Sequence, residues 1–137
     1  MQTKPGFRAV LIVIVLILIL NFCAAMFGWY GMWHWFDIPM HLAGGFAMGM
    51  FGLALFYDGI QDIRFGGRFE RHFRFWFIYL FVVGFVSLIA VGWEIHEFVL
   101  DRLFDGLRQP SIADTMMDFL MGVTGGFLSV AVLHRRK

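Results

Sequence analysis

Of the 137 residues, 60% are hydrophobic and only 15% are charged, with a mean hydropathy of +0.74. Soluble domains carry about a quarter charged residues, so this chain has more apolar surface than an aqueous fold can bury, and a water-soluble globule is excluded. The length allows a single domain, residues 1–137, and a lone cysteine, Cys23, excludes an intrachain disulfide framework.

Lys4 and Arg8 precede an apolar run, Ala9 to Leu20, that has the outline of a signal peptide. The run continues through Asn21 to Phe27, which gives the roughly 20 residues a spanning helix needs. A retained membrane helix over about 9–29 is therefore predicted. Trp29, Tyr30, Trp33, Trp35 and Phe36 follow, as interfacial aromatic anchors do. Further apolar stretches at about 38–57, 75–100 and 112–133 are each long enough to cross a hydrocarbon core of about 30 Å. Backbone groups in lipid must be satisfied within the segment, so the expected fold is all-α, a polytopic bundle of about four transmembrane helices. The strand alternation of an outer-membrane barrel is absent.

Basic residues set the orientation. Lys4 and Arg8, then Arg64, Arg68, Arg71 and Arg74, then Arg135, Arg136 and Lys137 make nine on one side, against Arg102 and Arg108 on the other. A multi-pass protein of the bacterial inner membrane with both termini cytoplasmic is expected. The loop from Asp58 to Arg74 reads as a positive-inside segment lying on anionic headgroups. It is too small a basic module for nucleic acid, so membrane lipids are the expected partners; the oligomeric state is left open.

The acids are the informative charges. Asp37, Glu94, Glu97, Asp101, Asp105, Asp114 and Asp118 all fall at the extracytoplasmic end, opposed there by two arginines. Ionisable groups near the membrane are expensive and are functional hypotheses by default. Asp37 and His41 are i, i+4; Glu94, Glu97 and Asp101 are i, i+3, i+7; Asp114 and Asp118 are i, i+4. Residues at those spacings share a helix face. The faces continue inward as Gly44, Gly45 and Gly49, as Ala90, Ser87 and Gly84, and as Gly122, Gly125 and Gly126. Small residues at such intervals let membrane helices approach closely, so the acidic faces are expected to point at one another.

Duller explanations exist for some of these residues. Asp37 ahead of Pro39 could cap its helix, and Ser111 with Asp114 resembles a capping box. Neither account reaches Glu94 and Glu97, which sit near a helix C-terminus where the macrodipole disfavours carboxylates. Carboxylates packed with a histidine must be protonated, hydrated or neutralised by cations. The predicted metal ligands are Asp37, His41, Glu94, Glu97, Asp114 and Asp118, and oxygen with imidazole donors suits a divalent Mg, Mn, Fe or Zn ion. His34 is at most a peripheral ligand. His96 points about 160° away from Glu94, and His72 and His134 belong to the cytoplasmic side. Asp105 is placed on a loop. Arg102 and Arg108 are the residues expected to bind an anionic substrate group; no catalytic residue is singled out.

With Asp37-Ile-Pro-Met-His41 and Gly44-Gly45, then Trp93-Glu94-Ile-His-Glu97, then Asp114-Thr-Met-Met-Asp118 and Gly122 to Gly126, the chain resembles the YjdF-like bacterial inner-membrane proteins. More distantly it is similar to VanZ-like membrane proteins. YjdF-like proteins have no established activity, and the VanZ-like association with glycopeptide resistance has no agreed mechanism, so the resemblance implies the same six residues and little else. This chain looks shorter than YjdF-like proteins.

Three functions remain open at this level: a metal-dependent hydrolase or transferase acting on a lipid headgroup, a non-catalytic membrane subunit with a structural acid or metal network, and a divalent-cation or proton transporter. The polar residues below the cluster, Ser87, Thr115, Thr124 and Ser129, make a thin path for the last.

Overall fold

A computed structural model describes residues 6–60, 70–104 and 108–134, without the side chains of residues 60 and 70–72. Lys4, Arg64, Arg68, Asp105, Arg135, Arg136 and Lys137 lie outside the described residues, as do the side chains of Arg71 and His72. The described residues form helices α1 (Phe7–Met26), α2 (Trp29–Met32), α3 (Asp37–Leu55), α4 (Glu70–Phe104) and α5 (Ile112–Leu133), with a π-helical segment at Phe56–Ile60. Four of them are long and apolar enough to span a membrane: Phe7–Met26, Asp37–Gly59, Phe73–Phe104 and Ile112–Leu133. The fold is an all-α polytopic membrane bundle.

The helix ends differ from the sequence expectation in two places, each for a local reason. The first helix stops at Met26 rather than near Trp29, because Gly28 turns left-handed at φ 68° and its N–H bonds back to the Ala25 carbonyl. Glycine takes that conformation without steric cost. The turn starts α2, so the aromatic anchors form a small interlocked cluster of Trp29, Tyr30, Trp33 and Phe36 in place of a helix extension. At the other end, α4 runs 35 residues, about 52 Å at 1.5 Å per residue. It exceeds the expected 75–100 stretch because nothing between Glu70 and Phe104 is a glycine–proline breaker; Gly84 and Gly92 are single interior glycines, which a helix tolerates.

Packing is uneven. α3 and α5 make the most extensive contact, α4 lies across both, and α1 packs on α3. The α3–α5 contact is backbone on backbone. A Cβ on Gly45 would overlap the Gly122 carbonyl, one on Gly125 would overlap the Leu42 carbonyl, and one on Gly49 would run into Ser129. The buried side chains cluster away from the acids: Leu53, Phe56 and Tyr57 of α3 and its π-helical extension pack on Ile78, Val82 and Val86 of α4 and Val130 of α5. Most other apolar residues of α1 and α4 face outward, among them Leu16, Phe22, Leu80 and Leu88. Outward apolar faces are what a lipid solvent requires.

That far end is fastened by one buried polar pair. Tyr57, in the π-helical turn, shares a hydrogen bond with Nδ1 of His134 just beyond α5, and the His134 ring packs on Phe75. His134 is 7% exposed. Burial, then the nearby Arg74 guanidinium, holds its pKa below the ordinary 6.5, which favours the neutral imidazole.

Two outcomes follow from this packing. Gly45→Ala forces backbone apart and is expected to cost about 3 kcal/mol, at the upper end for overpacking. Gly44→Ala, where an added Cβ meets nothing within 4 Å, is expected to stay within about 1 kcal/mol of the parent. Thermal unfolding in detergent compares them. For His134 the sign is fixed by its depressed pKa: the unfolded chain binds the proton more readily, so the stabilising contribution is intact above the unfolded pKa and declines as pH falls through the folded one. The parent is therefore expected to lose more stability than His134→Gln between pH 7.5 and 5, read as the difference between the two melting curves; equal losses would refute the assignment.

Candidate metal centre

Asp37 is the first residue of α3, one position past the N-cap, which is Phe36. The Asp37 side chain turns along the helix and meets His41 one turn later, with Oδ1 3.3 Å from Nε2. The capping explanation of Asp37 is thus replaced by a side-chain pair, although a carboxylate here still gains from the helix dipole. Pro39 sits in the first turn, where its missing N–H costs no helical bond.

The glycine contact then delivers α5. With Gly45 against Gly122, the next turn of α5 toward its N-terminus places Asp118 beside His41, Oδ1 3.8 Å from Nε2. Asp118 is 3% exposed. From α4, Glu94 and Glu97 close the other side. Glu94 is 9% exposed and faces the bundle, not the surroundings. Ligand atoms of Asp37, His41 and Asp118 lie within 4.8 Å of one another, as do those of His41, Glu94 and Glu97. Five of the six residues expected as ligands thereby come together, four carboxylates around the His41 imidazole.

Asp114 belongs to neither group. It stands in the first turn of α5, where its backbone N–H donates to Ser111 Oγ at 3.1 Å. The cap half of the expected capping box is present there.

The carboxylates are held by groups that the sequence reading overlooked. The Trp93 indole N–H donates to Glu97 Oε1 at 3.0 Å. Gln109 Nε2 donates to Glu94 Oε2 at 2.8 Å and to the Glu94 carbonyl at 2.9 Å. Gln109 is brought there by Asp101, whose carboxylate accepts from the backbone N–H of Arg108 at 2.8 Å and of Gln109 at 2.9 Å. Asp101 therefore folds the chain back after α4 and aims Gln109 at Glu94. The Arg108 guanidinium also goes to Asp101, at 3.2 Å, and Arg102 lies over the Phe98 ring at 5.2 Å. Both arginines, expected from the sequence to bind an anionic substrate group, make local contacts at the same end of the bundle.

Tyr30 is the other omission. Read from sequence as an interfacial anchor, it hydrogen-bonds Asn21 of α1. Burial, then the Asp37 and Glu97 carboxylates, raises its pKa, so the phenol stays protonated beside the cluster. No periodicity flagged it, because α2 is a four-residue helix created by the Gly28 turn. His34 and His96 are exposed, and His96 packs on Trp93.

These donors fit a hard divalent ion. Ligand atoms about 2.1 Å from a common ion lie about 3–4 Å apart, and spacings of up to 4.8 Å reach that by small side-chain rotations. An imidazole offers one free lone pair when its other nitrogen carries a proton, so His41 serves a single ion. The two groups share His41, so the residues present would hold one ion rather than two.

No curated protein and no solved structure matches the chain. One family model does, over residues 4–137, and its description is "Predicted membrane protein (DUF2238)". With nearly the whole chain matched, this membrane bundle and its acid–histidine cluster belong to a member of the DUF2238 family.

Proposed function

We propose that the chain is a metal-dependent hydrolase or transferase acting on the headgroup of a membrane lipid at the extracytoplasmic face. The observation that carries this reading is the convergence of Asp37, His41, Glu94, Glu97 and Asp118, from three helices, on one half-buried point. A structural tie between helices needs one acid and one partner. Four carboxylates around one histidine accumulate repulsion that a divalent ion relieves.

The bound ion would supply Lewis acidity and an activated water. The rest is the protein's own chemistry. Asp37 and His41 hold one side of the site and Asp118 seals its floor; Gln109 and Trp93 fix the two glutamates so that they cannot turn away. Tyr30 presents a protonated phenol at the rim. The acids lie within about three turns of one end of three candidate spans, close to headgroup depth, and the basic-residue split supports reading that end as extracytoplasmic with both termini inside. The YjdF-like motif order agrees with the family match, and the more distant VanZ-like likeness supplies no mechanism.

A second reading, a non-catalytic subunit with a structural acid network, is favoured by one observation: among the described residues every buried side-chain nitrogen and oxygen has a hydrogen-bond partner. Transport is the weakest of the three, because directly below the cluster α3 and α5 meet backbone to backbone and leave no polar route between them.

Thermal stability in detergent separates the readings. With Mn, Mg or Zn at about 100 times its dissociation constant, the parent is expected to gain about 2.7 kcal/mol. Glu94→Gln and Asp118→Asn are expected to lose that gain, while His96→Gln keeps it. Without metal, Glu94→Gln should be at least as stable as the parent, because a like charge has gone and the Gln109 contact can still form. A parent that no divalent ion stabilises, and that purifies free of metal, would hand the cluster to the acid-network reading.

A further inference from the structure

A cavity of about 130 Å³ lies between α1, α3 and α4, directly beneath the cluster. Its body is apolar, walled by Ile14 and Ile17 of α1, Met40 and Met48 of α3 and Ile89 of α4. Its head is polar: Asp37, His41 and Glu97 line it together with Tyr30 and Asn21. One void therefore runs from hydrocarbon-like walls to ionisable groups.

We propose that this cavity seats a segment of one hydrocarbon chain of the membrane lipid whose head lies against Asp37, His41 and Glu97. The proposal deepens the lipid-headgroup reading and rests on it for the head alone. Three observations select the occupant. An apolar cavity of about 150 Å³ takes up a small apolar group in preference to water, and the body of this one has walls of that kind. α1 packs on α3 but, among the described residues, has no comparable packing on α4. The cavity wall is thus weakest between two helices whose other faces are apolar and exposed, and what surrounds them is lipid. Finally, Gly44 lines the cavity, and a Cβ there would meet nothing within 4 Å. Gly45, Gly49 and Gly125 are small because a neighbour abuts them. Gly44 abuts empty space, and its missing side chain widens the cavity next to His41.

The test uses the full chain in nanodiscs of a phosphatidylethanolamine and phosphatidylglycerol mixture doped with a phospholipid that carries a diazirine midway along one acyl chain. After irradiation, adducts are mapped by mass spectrometry. Met40 is buried from surrounding lipid, so its adducts report the cavity, whereas Leu88, 75% exposed, reports bulk lipid. The expected result is labelling of Met40 and Met48 in the parent, falling at least tenfold in Gly44→Leu with Leu88 labelling unchanged. An unlabelled Met40 and Met48 in the parent overturns the proposal whatever the variant does, as does undiminished labelling in folded Gly44→Leu. Manganese-induced stabilisation of the same samples is scored separately. Cavity labelling without a manganese effect sinks the metal reading and leaves the chain seat standing; a manganese effect without cavity labelling does the reverse.

Discussion

The structure depends on one contact, the backbone approach of α3 and α5 at Gly45, Gly122 and Gly125. In lipid no hydrophobic force drives helices together, and association rests on close packing and on polar contacts between them. Glycine faces make that packing dense, and they also fix the register of two charged turns. Asp118 reaches His41 because the glycines below it allow no gap; a bundle held by large side chains would set these helices farther apart and leave the acids out of reach of one imidazole.

The acidic end solves its charge problem with a second layer of neutral donors. Asp101 holds the chain after α4, that return places Gln109, and Gln109 binds Glu94; Trp93 does the same for Glu97 within one helix. Hydrogen bonds to carboxylates are among the stronger ones available, and in a low-dielectric setting an unpaired charge is very costly. These donors orient the glutamates without neutralising them.

Much of this was legible in the sequence, and the omissions have a common cause. Helical spacing put Asp37 with His41 and Glu94 with Glu97, and the glycine stripes gave the direction in which the faces point. Charge position on a helix is a periodic signal, and periodic signals survive without coordinates. Gln109, Tyr30 and the real duty of Asp101 were missed because each depends on a turn. Gln109 follows the end of α4, and Tyr30 follows the left-handed Gly28. The pairing of Arg108 with Asp101 was missed for the same reason: residues seven apart, one on a helix and one beyond it, have no fixed geometry until the return is known. Asp114 shows the limit of spacing as a signal: i, i+4 from Asp118 does not tell a cap from a ligand, and in the structure its backbone N–H goes to the Ser111 cap while its carboxylate lies outside the two groups that come together.

The two ends of the bundle divide stability from chemistry. The far end holds the large buried side chains and the Tyr57–His134 pair, and the π-helical turn that carries Tyr57 gives up regular helix geometry there. Beyond the glycine contact, the acidic end has a cavity and carboxylates, neither of which stabilises a fold. A protein can keep groups that repel one another at working distance only if packing elsewhere supplies the free energy to hold them. Here the glycine contact transmits that hold along α3 and α5, while α1, which packs on α3, leaves one flank of the cavity lightly closed. The rigid helices thus set the distances between the carboxylates, and the lightly packed one sets how the space beneath them is reached.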